Sequence, residues 1–104
     1  MRTNQSERLR RSKELELSQR RRLATQLQTI IAEYDRTCID LGHQIAAEET
    51  RSRNYDPMNF AYPTFAKAAR ERRTKLQRSA DAFRILLQKQ TCEATEAVDR
   101  QVAA

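Results

Sequence analysis

Apolar residues in the first half of the chain follow the spacing of a coiled-coil helix. Steps of four and three residues alternate along two rows, which is the pattern that packs one stripe of a helix against a neighbouring helix. The rows are Leu17, Ala24, Ile31, Cys38 and Ile45, and Leu27, Tyr34 and Leu41. No proline interrupts residues 4–53, so the pattern predicts one long helix from about residue 4 to about residue 53.

The second half repeats the same spacing after a short break. Its rows are Leu76, Phe83, Gln90 and Ala97, and Ala80, Leu87 and Ala94. Pro57 disfavours the helical region for Asp56, so the first helix should end there or shortly before. Pro63 is typical of the first turn of a helix. We therefore predict a connector at 54–63 and a second helix from about residue 64 to about residue 102.

Two long helices joined by a short connector predict an all-α fold, a single antiparallel two-helix coiled-coil hairpin over residues 1–104. Two registers of the seam fit the pattern. One places Ile31 beside Phe83, and the other places Cys38 beside Phe83. In either register Cys92 lies more than about 13 Å along the helix from Cys38. That separation exceeds the reach of a disulfide, so no intramolecular bridge is expected.

Composition supports long helices and argues against most globular folds. Ala, Glu, Lys, Leu and Arg make up half of the chain, a bias typical of long or coiled-coil helices. One glycine and two prolines leave too little turn material for a β-sandwich, a barrel or a Rossmann-like unit. With 38% apolar residues and no Trp, we expect a narrow two-helix seam or helices that complete their core with a partner.

Charge is segregated along the chain, which favours oriented docking to a partner. Residues 1–22 hold eight Arg or Lys against three Glu, and 66–80 hold six basic residues against one acidic residue. Residues 23–50 have the opposite balance, with five acidic residues against one Arg. The basic run at the start consists of Arg8, Arg10, Arg11, Lys13, Arg20, Arg21 and Arg22. Either it is a solvated helix face, or it docks an acidic protein or nucleic acid.

Catalysis finds no support in the sequence. His43 is the only histidine, and no Ser or Cys stands at a spacing that would make it the base of a nucleophile pair. Cys38 and His43 diverge by about 140° around a helix, which makes them poor joint metal ligands. We therefore predict a protein that is not an enzyme and takes no cofactor or metal. Without a signal peptide or membrane span, and with two lone thiols, a cytoplasmic location is expected.

The connector is rich in aromatic residues for a loop. Its apolar side chains, with the first of the second helix, are Tyr55, Met58, Phe60, Tyr62, Pro63 and Phe65. They could fold back and cap the end of the two-helix seam. Alternatively they could form an exposed apolar patch, which on a small protein usually marks a partner site.

At this connector the sequence resembles a known family. The stretch FAYPTFAKAA at 60–69, followed by Arg72, Arg73, Leu76 and Ser79, is similar to a motif of the alphaproteobacterial branch of the FliJ family of flagellar export proteins. The first helix is also similar, over Arg21 and Arg22, residues 30–34, Asp40, Leu41, Ile45, Glu48, Glu49 and Arg51. The resemblance covers roughly residues 20–80.

The resemblance implies a soluble adaptor and chaperone escort of the flagellar type III protein export apparatus, at its cytoplasmic face. Such proteins engage the export ATPase (FliI-like) and the export gate (FlhA-like), and assist export chaperones. The basic run at 8–22 would then face the ATPase. The segment with Arg72, Arg73 and Leu76 would face the gate. The family's second helix usually continues several turns further, so part of its C-terminal ATPase contacts is expected to be missing.

Two other functions remain open from the residues themselves. A basic coiled coil could bind nucleic acid nonspecifically, although no base-stacking aromatic interrupts the basic run and the nearest is Tyr34. Alternatively, the connector could straighten and two chains could pair along their length as a structural dimer. Pro57 and Pro63 argue against that dimer.

Overall fold

The chain folds as an all-α helical hairpin. A computed structural model describes the backbone of residues 2–103, and the side chains of 4–93, 95–96 and 99–100. Helix α1 spans Arg2–Ser52 and helix α2 spans Thr64–Ala103, and no strand occurs within the described backbone. The predicted fold class is confirmed, and both helices match the predicted bounds to within two residues. Ala94 and Ala97, which belong to the predicted seam, lie outside the described side chains.

Helix α1 ends through a left-handed residue, earlier than Pro57 alone requires. Arg53 has a φ of 55°, a conformation that costs a non-glycine residue about 1–2 kcal/mol. Its amide donates to the carbonyl of Thr50 at 3.4 Å, and the amide of Asn54 donates to the hydroxyl of Ser52 at 3.3 Å. These bonds turn the chain out of the helix at a position where glycine is usual.

Helix α2 begins directly after Pro63. The amide of Lys67 donates to the carbonyl of Pro63 at 3.0 Å, so Pro63 accepts the first helical bond and Thr64 is the first helical residue. The proline thus lies one position earlier than in the usual first-turn placement. Its lack of an amide proton costs nothing there, since the first amides of a helix have no helical acceptor.

Residues 30–83 form one compact unit, which we call the connector unit. Its seam follows the predicted steps of four and three residues. The buried side chains of the unit are Ile31, Cys38, Leu41, Ile45, Glu49, Tyr62, Ala66, Ala69 and Ala80. Leu41, Ile45 and Ala69 pack together as a cluster, with Leu76 against it. Small alanine side chains on α2 face larger side chains on α1, so this seam is narrow. A narrow seam agrees with the low apolar content of the chain.

Contacts across the connector unit settle the register. The Cys38 thiol donates to the carbonyl of Arg73 at 3.8 Å, and the rings of Tyr34 and Phe83 meet edge to face with centroids 5.8 Å apart. The register that placed Cys38 beside Phe83 is wrong, because Phe83 lies about 15 Å further along α2 than Arg73. The register that pairs Ile31 with the level of Phe83 agrees with both contacts.

The described residues of 1–29 and 84–104 form a second unit, which we call the terminal unit. Leu27 is its one buried residue among the side chains that are described there. Leu17, Ala24 and Leu87 are only half-buried. The seam of the terminal unit is therefore less completely buried than the seam of the connector unit.

Candidate partner-binding surfaces

The N-terminal arginines form an exposed basic surface in the terminal unit. Arg8, Arg10, Arg11, Arg21 and Arg22 are exposed, and Arg20 is half-buried. The backbone places all six on α1, as the sequence predicted. Two of them make ion pairs within the helix, Arg10 with Glu14 at 3.9 Å and Arg20 with Glu16 at 3.3 Å.

Those two ion pairs leave the surface available to a partner. Exposed pairs four residues apart in a helix contribute only about 0.3–0.5 kcal/mol, so a carboxylate from outside can replace the internal partner at little cost. The excess positive charge of this surface therefore faces solvent and is not neutralised by ion pairs within the molecule.

A groove that the sequence did not predict adjoins this basic surface within the terminal unit. It has a volume of about 350 Å³ and is lined by Leu17, Arg20, Arg21, Ala24, Gln90, Thr91 and Thr95. The α1 residues lie on one helical stripe, at steps of three and four. The spacing alone could have suggested that stripe, but only the register shows which α2 residues stand opposite.

The connector is a rigid turn rather than a loose loop. Asn54, Asp56 and Asn59 each accept, through a side-chain oxygen, a hydrogen bond from the amide two residues later, at 3.2, 3.0 and 2.8 Å. Backbone bonds from Asn59 to Asp56 and from Tyr62 to Asn59, both 3.0 Å, close the turns. Such side-chain bonds mimic backbone turns, and they fix the positions of the aromatic residues between them.

The aromatic residues of the connector divide between the two predicted roles. Tyr62 is only 6% exposed, as the arrangement in which the connector folds back on the helices requires. Phe60 is completely exposed, Met58 is 92% exposed, and Tyr55 and Phe65 are more than half exposed. We call these four exposed residues the apolar tip. Pro63 is half-buried beside the start of α2.

Arg70 links Tyr62 to Glu49, an arrangement that the sequence did not predict. The Arg70 guanidinium donates from Nε to the Tyr62 hydroxyl at 2.9 Å and from a terminal nitrogen to Glu49 at 3.4 Å. Its central carbon lies 5.9 Å from the Tyr62 ring centroid, the outer limit of a cation–π contact. The hydrogen bond to Tyr62 is the largest cause that raises the pKa of Arg70. Glu49 is a buried charge, and this pairing satisfies it.

Residues 72–76 turn their side chains in different directions. Arg72 is exposed, whereas Arg73 and Leu76 are half-buried. The Arg73 backbone contacts Cys38, and Leu76 packs on the core cluster. Arg72 is thus accessible to solvent, while the Arg73 backbone and the Leu76 side chain make contacts within the hairpin. A shallow basic depression of about 320 Å³ lies nearby on α2, lined by Arg70, Glu71, Thr74, Lys75 and Arg78.

Other chemistry is sparse in the described part of the chain. Cys38 is a buried free thiol and Cys92 an exposed one. Among the described residues, no group of three or more His, Cys, Asp or Glu could hold a metal ion. None of the described helical segments is long and apolar enough to cross a membrane.

Comparison with known proteins gives no family assignment. No family model, curated protein or solved structure matches the chain.

Proposed function

We propose that the protein is an adaptor of the flagellar type III protein export apparatus, which binds the export ATPase and the export gate and escorts export chaperones at the cytoplasmic face of the apparatus. The observation that carries the proposal is the connector motif at 60–69, which resembles that of the FliJ family. The confirmed hairpin fold is the architecture that this resemblance implies. The exposed basic surface and the apolar tip of this hairpin are of the kinds that bind other proteins.

Two surfaces have different chemistry and therefore suit different partners. The basic surface at 8–22 would bind an acidic face of the ATPase, and its contribution would weaken as salt rises. The apolar tip and the exposed Arg72 would contact the gate. Because the tip is held by the turns of the connector, little backbone conformational entropy is lost when it is buried.

A binding assay with purified partners tests the proposal. The chain would be immobilised and exposed, at moderate salt, to the same organism's export ATPase and to the cytoplasmic domain of its export gate. Random-sequence DNA would be added as a competitor. We expect both proteins to be retained in the presence of the DNA. Retention of neither protein, with binding only to DNA, would overturn the proposal and favour a nonspecific nucleic-acid binder.

A charge-reversal variant locates the ATPase contact. Replacing Arg20, Arg21 and Arg22 together with Glu should weaken ATPase binding without reducing helicity. The matched control reverses three exposed charges on α2, at Lys67, Lys75 and Arg78, and should leave ATPase binding nearly unchanged. Equal losses in both variants would mean that net charge, rather than a defined surface, governs the interaction.

A further inference from the structure

The groove of the terminal unit is an apolar surface that the two helices leave uncovered. Its floor includes the half-buried Leu17 and Ala24 from α1. The hydroxyls of Thr91 and Thr95 donate to carbonyls of their own helix at 2.9 Å. These threonines therefore require no hydrogen bond from whatever fills the groove.

Other apolar side chains of the terminal unit are also incompletely buried. Leu23 is 40% exposed and Leu86 48% exposed, and Leu87 of the seam remains half-buried. At about 25 cal/mol per Å² of apolar area, covering such side chains is favourable. A groove between two paired helices matches the shape of a third helix, whose apolar stripe can complete the packing.

Charge at the rim defines the chemistry of that third helix. Arg20 and Arg21 line the groove, and no carboxylate among the described residues pairs with Arg21. The Arg20 pair with Glu16 is exposed on the Glu side and exchangeable. With residues 1–22 strongly basic, the rim attracts acidic side chains and repels basic ones.

We propose that this groove binds an acidic amphipathic α-helix of a partner protein. The apolar stripe of that helix covers Leu17 and Ala24, and Glu or Asp side chains beside the stripe pair with Arg20 and Arg21. The inference goes beyond the export proposal, since it names a mode of binding that holds whichever protein supplies the helix.

Nucleic acid fits this groove less well. No aromatic residue occurs in 1–29 or 84–104, so the terminal unit offers bases nothing to stack on. A phosphate backbone would pair with the arginines but leave the aliphatic floor uncovered. An acidic amphipathic helix satisfies both parts of the surface.

Fluorescence anisotropy with designed peptides tests the proposal. The probe is a labelled helical peptide of about two heptads, roughly 21 Å long, with Leu on one stripe and Glu at the positions beside it. One comparison peptide carries Lys in place of Glu, and another has the acidic composition in a scrambled order. At about 0.15 M salt, we expect the acidic amphipathic peptide to bind at least tenfold more tightly than either comparison peptide.

Charge reversal at the rim locates the site. Arg20→Glu combined with Arg21→Glu should weaken binding of the acidic peptide at least tenfold. The same variant should bind the lysine peptide more tightly than the wild type does. The matched control is Arg10→Glu with Arg11→Glu, which makes the same change in charge and also removes one internal ion pair. These two positions lie about 15 Å along α1 from Arg20 and Arg21, beyond the screening length of about 8 Å, and the change should alter binding less than threefold.

Four outcomes would overturn the proposal. Equal binding of the acidic and scrambled peptides, or equal losses in the two variants, would show a diffuse basic surface. Displacement of the bound acidic peptide by random-sequence duplex DNA at an equal concentration of charge would favour nucleic acid. A dimer in sedimentation that fails to bind the acidic peptide would show that a second copy covers the groove. Because the peptides carry no export-protein sequence, failure here is distinct from failure of the export assay.

Discussion

At the scale of single residues, Arg53 adopts a strained backbone conformation at the point where the connector begins. It has a φ of 55°, where a side chain is strained and glycine is not. The strain persists because the bonds that follow, from Asn54 through Asn59, fix the path of the chain. Arg53 thus begins the turn that ends in the exposed tip.

Arg53→Gly should stabilise the fold. We expect the free energy of unfolding to rise by about 0.5–1 kcal/mol, because relief of the strain exceeds the added freedom of the unfolded chain. Denaturant titration followed by circular dichroism measures it. Arg51→Gly, two residues earlier in the helix, is the control. This control should lower the free energy of unfolding by about 1 kcal/mol. It also removes the ion pair between Arg51 and Glu48. A drop in stability for Arg53→Gly would contradict the backbone account.

At the scale of helices, the apolar pattern was sufficient to predict the elements but not their register. Heptad spacing identifies which residues face a neighbour, and shifting one helix by seven residues preserves that spacing. Long-range contacts such as that between Cys38 and Arg73 choose between the registers. The link from Tyr62 through Arg70 to Glu49 was equally hidden, because Glu49 and Arg70 come together only once the register is fixed.

A cross-link checks the register. In a Cys92→Ser background, Leu76→Cys should form a disulfide with the native Cys38 under mild oxidation, because the seam brings these two positions to the same level. Phe83→Cys is the matched control. It should remain reduced, since position 83 lies about 10 Å further along α2 than position 76 and is beyond disulfide reach. Preferential cross-linking of Phe83→Cys, read by mass spectrometry, would restore the alternative register.

Burial differs between the two units, and truncation of seam residues should show the difference. Ile45 is only 2% exposed, so Ile45→Ala should lower the free energy of unfolding by about 2–4 kcal/mol. Leu17 is half-buried, and Leu17→Ala should cost less than about 1.5 kcal/mol. Denaturant unfolding compares the two variants. Equal costs would mean that the seam is equally buried at both positions.

At the scale of the whole molecule, the chain combines a narrow buried seam with exposed basic and apolar surfaces. Composition correctly excluded folds with a thick core, because so few apolar residues can bury only a seam. The exposure of Phe60 and Met58 could not be read from sequence, since capping and exposed arrangements use the same residues. The groove was hidden for a similar reason, as it depends on where α2 stands opposite α1.

The central claim is that separate surfaces of this chain bind separate export proteins. Calorimetric titration against the export ATPase and against the gate's cytoplasmic domain tests it. Three proteins are compared: the wild type, a first variant in which Arg20, Arg21 and Arg22 are changed to Glu, and a second variant with Met58→Ser and Phe60→Ser. We expect the first variant to lose at least tenfold in affinity for the ATPase only, about 1.4 kcal/mol. The second should lose as much for the gate only. If the wild type binds neither protein, or both variants weaken both interactions equally, the claim is contradicted.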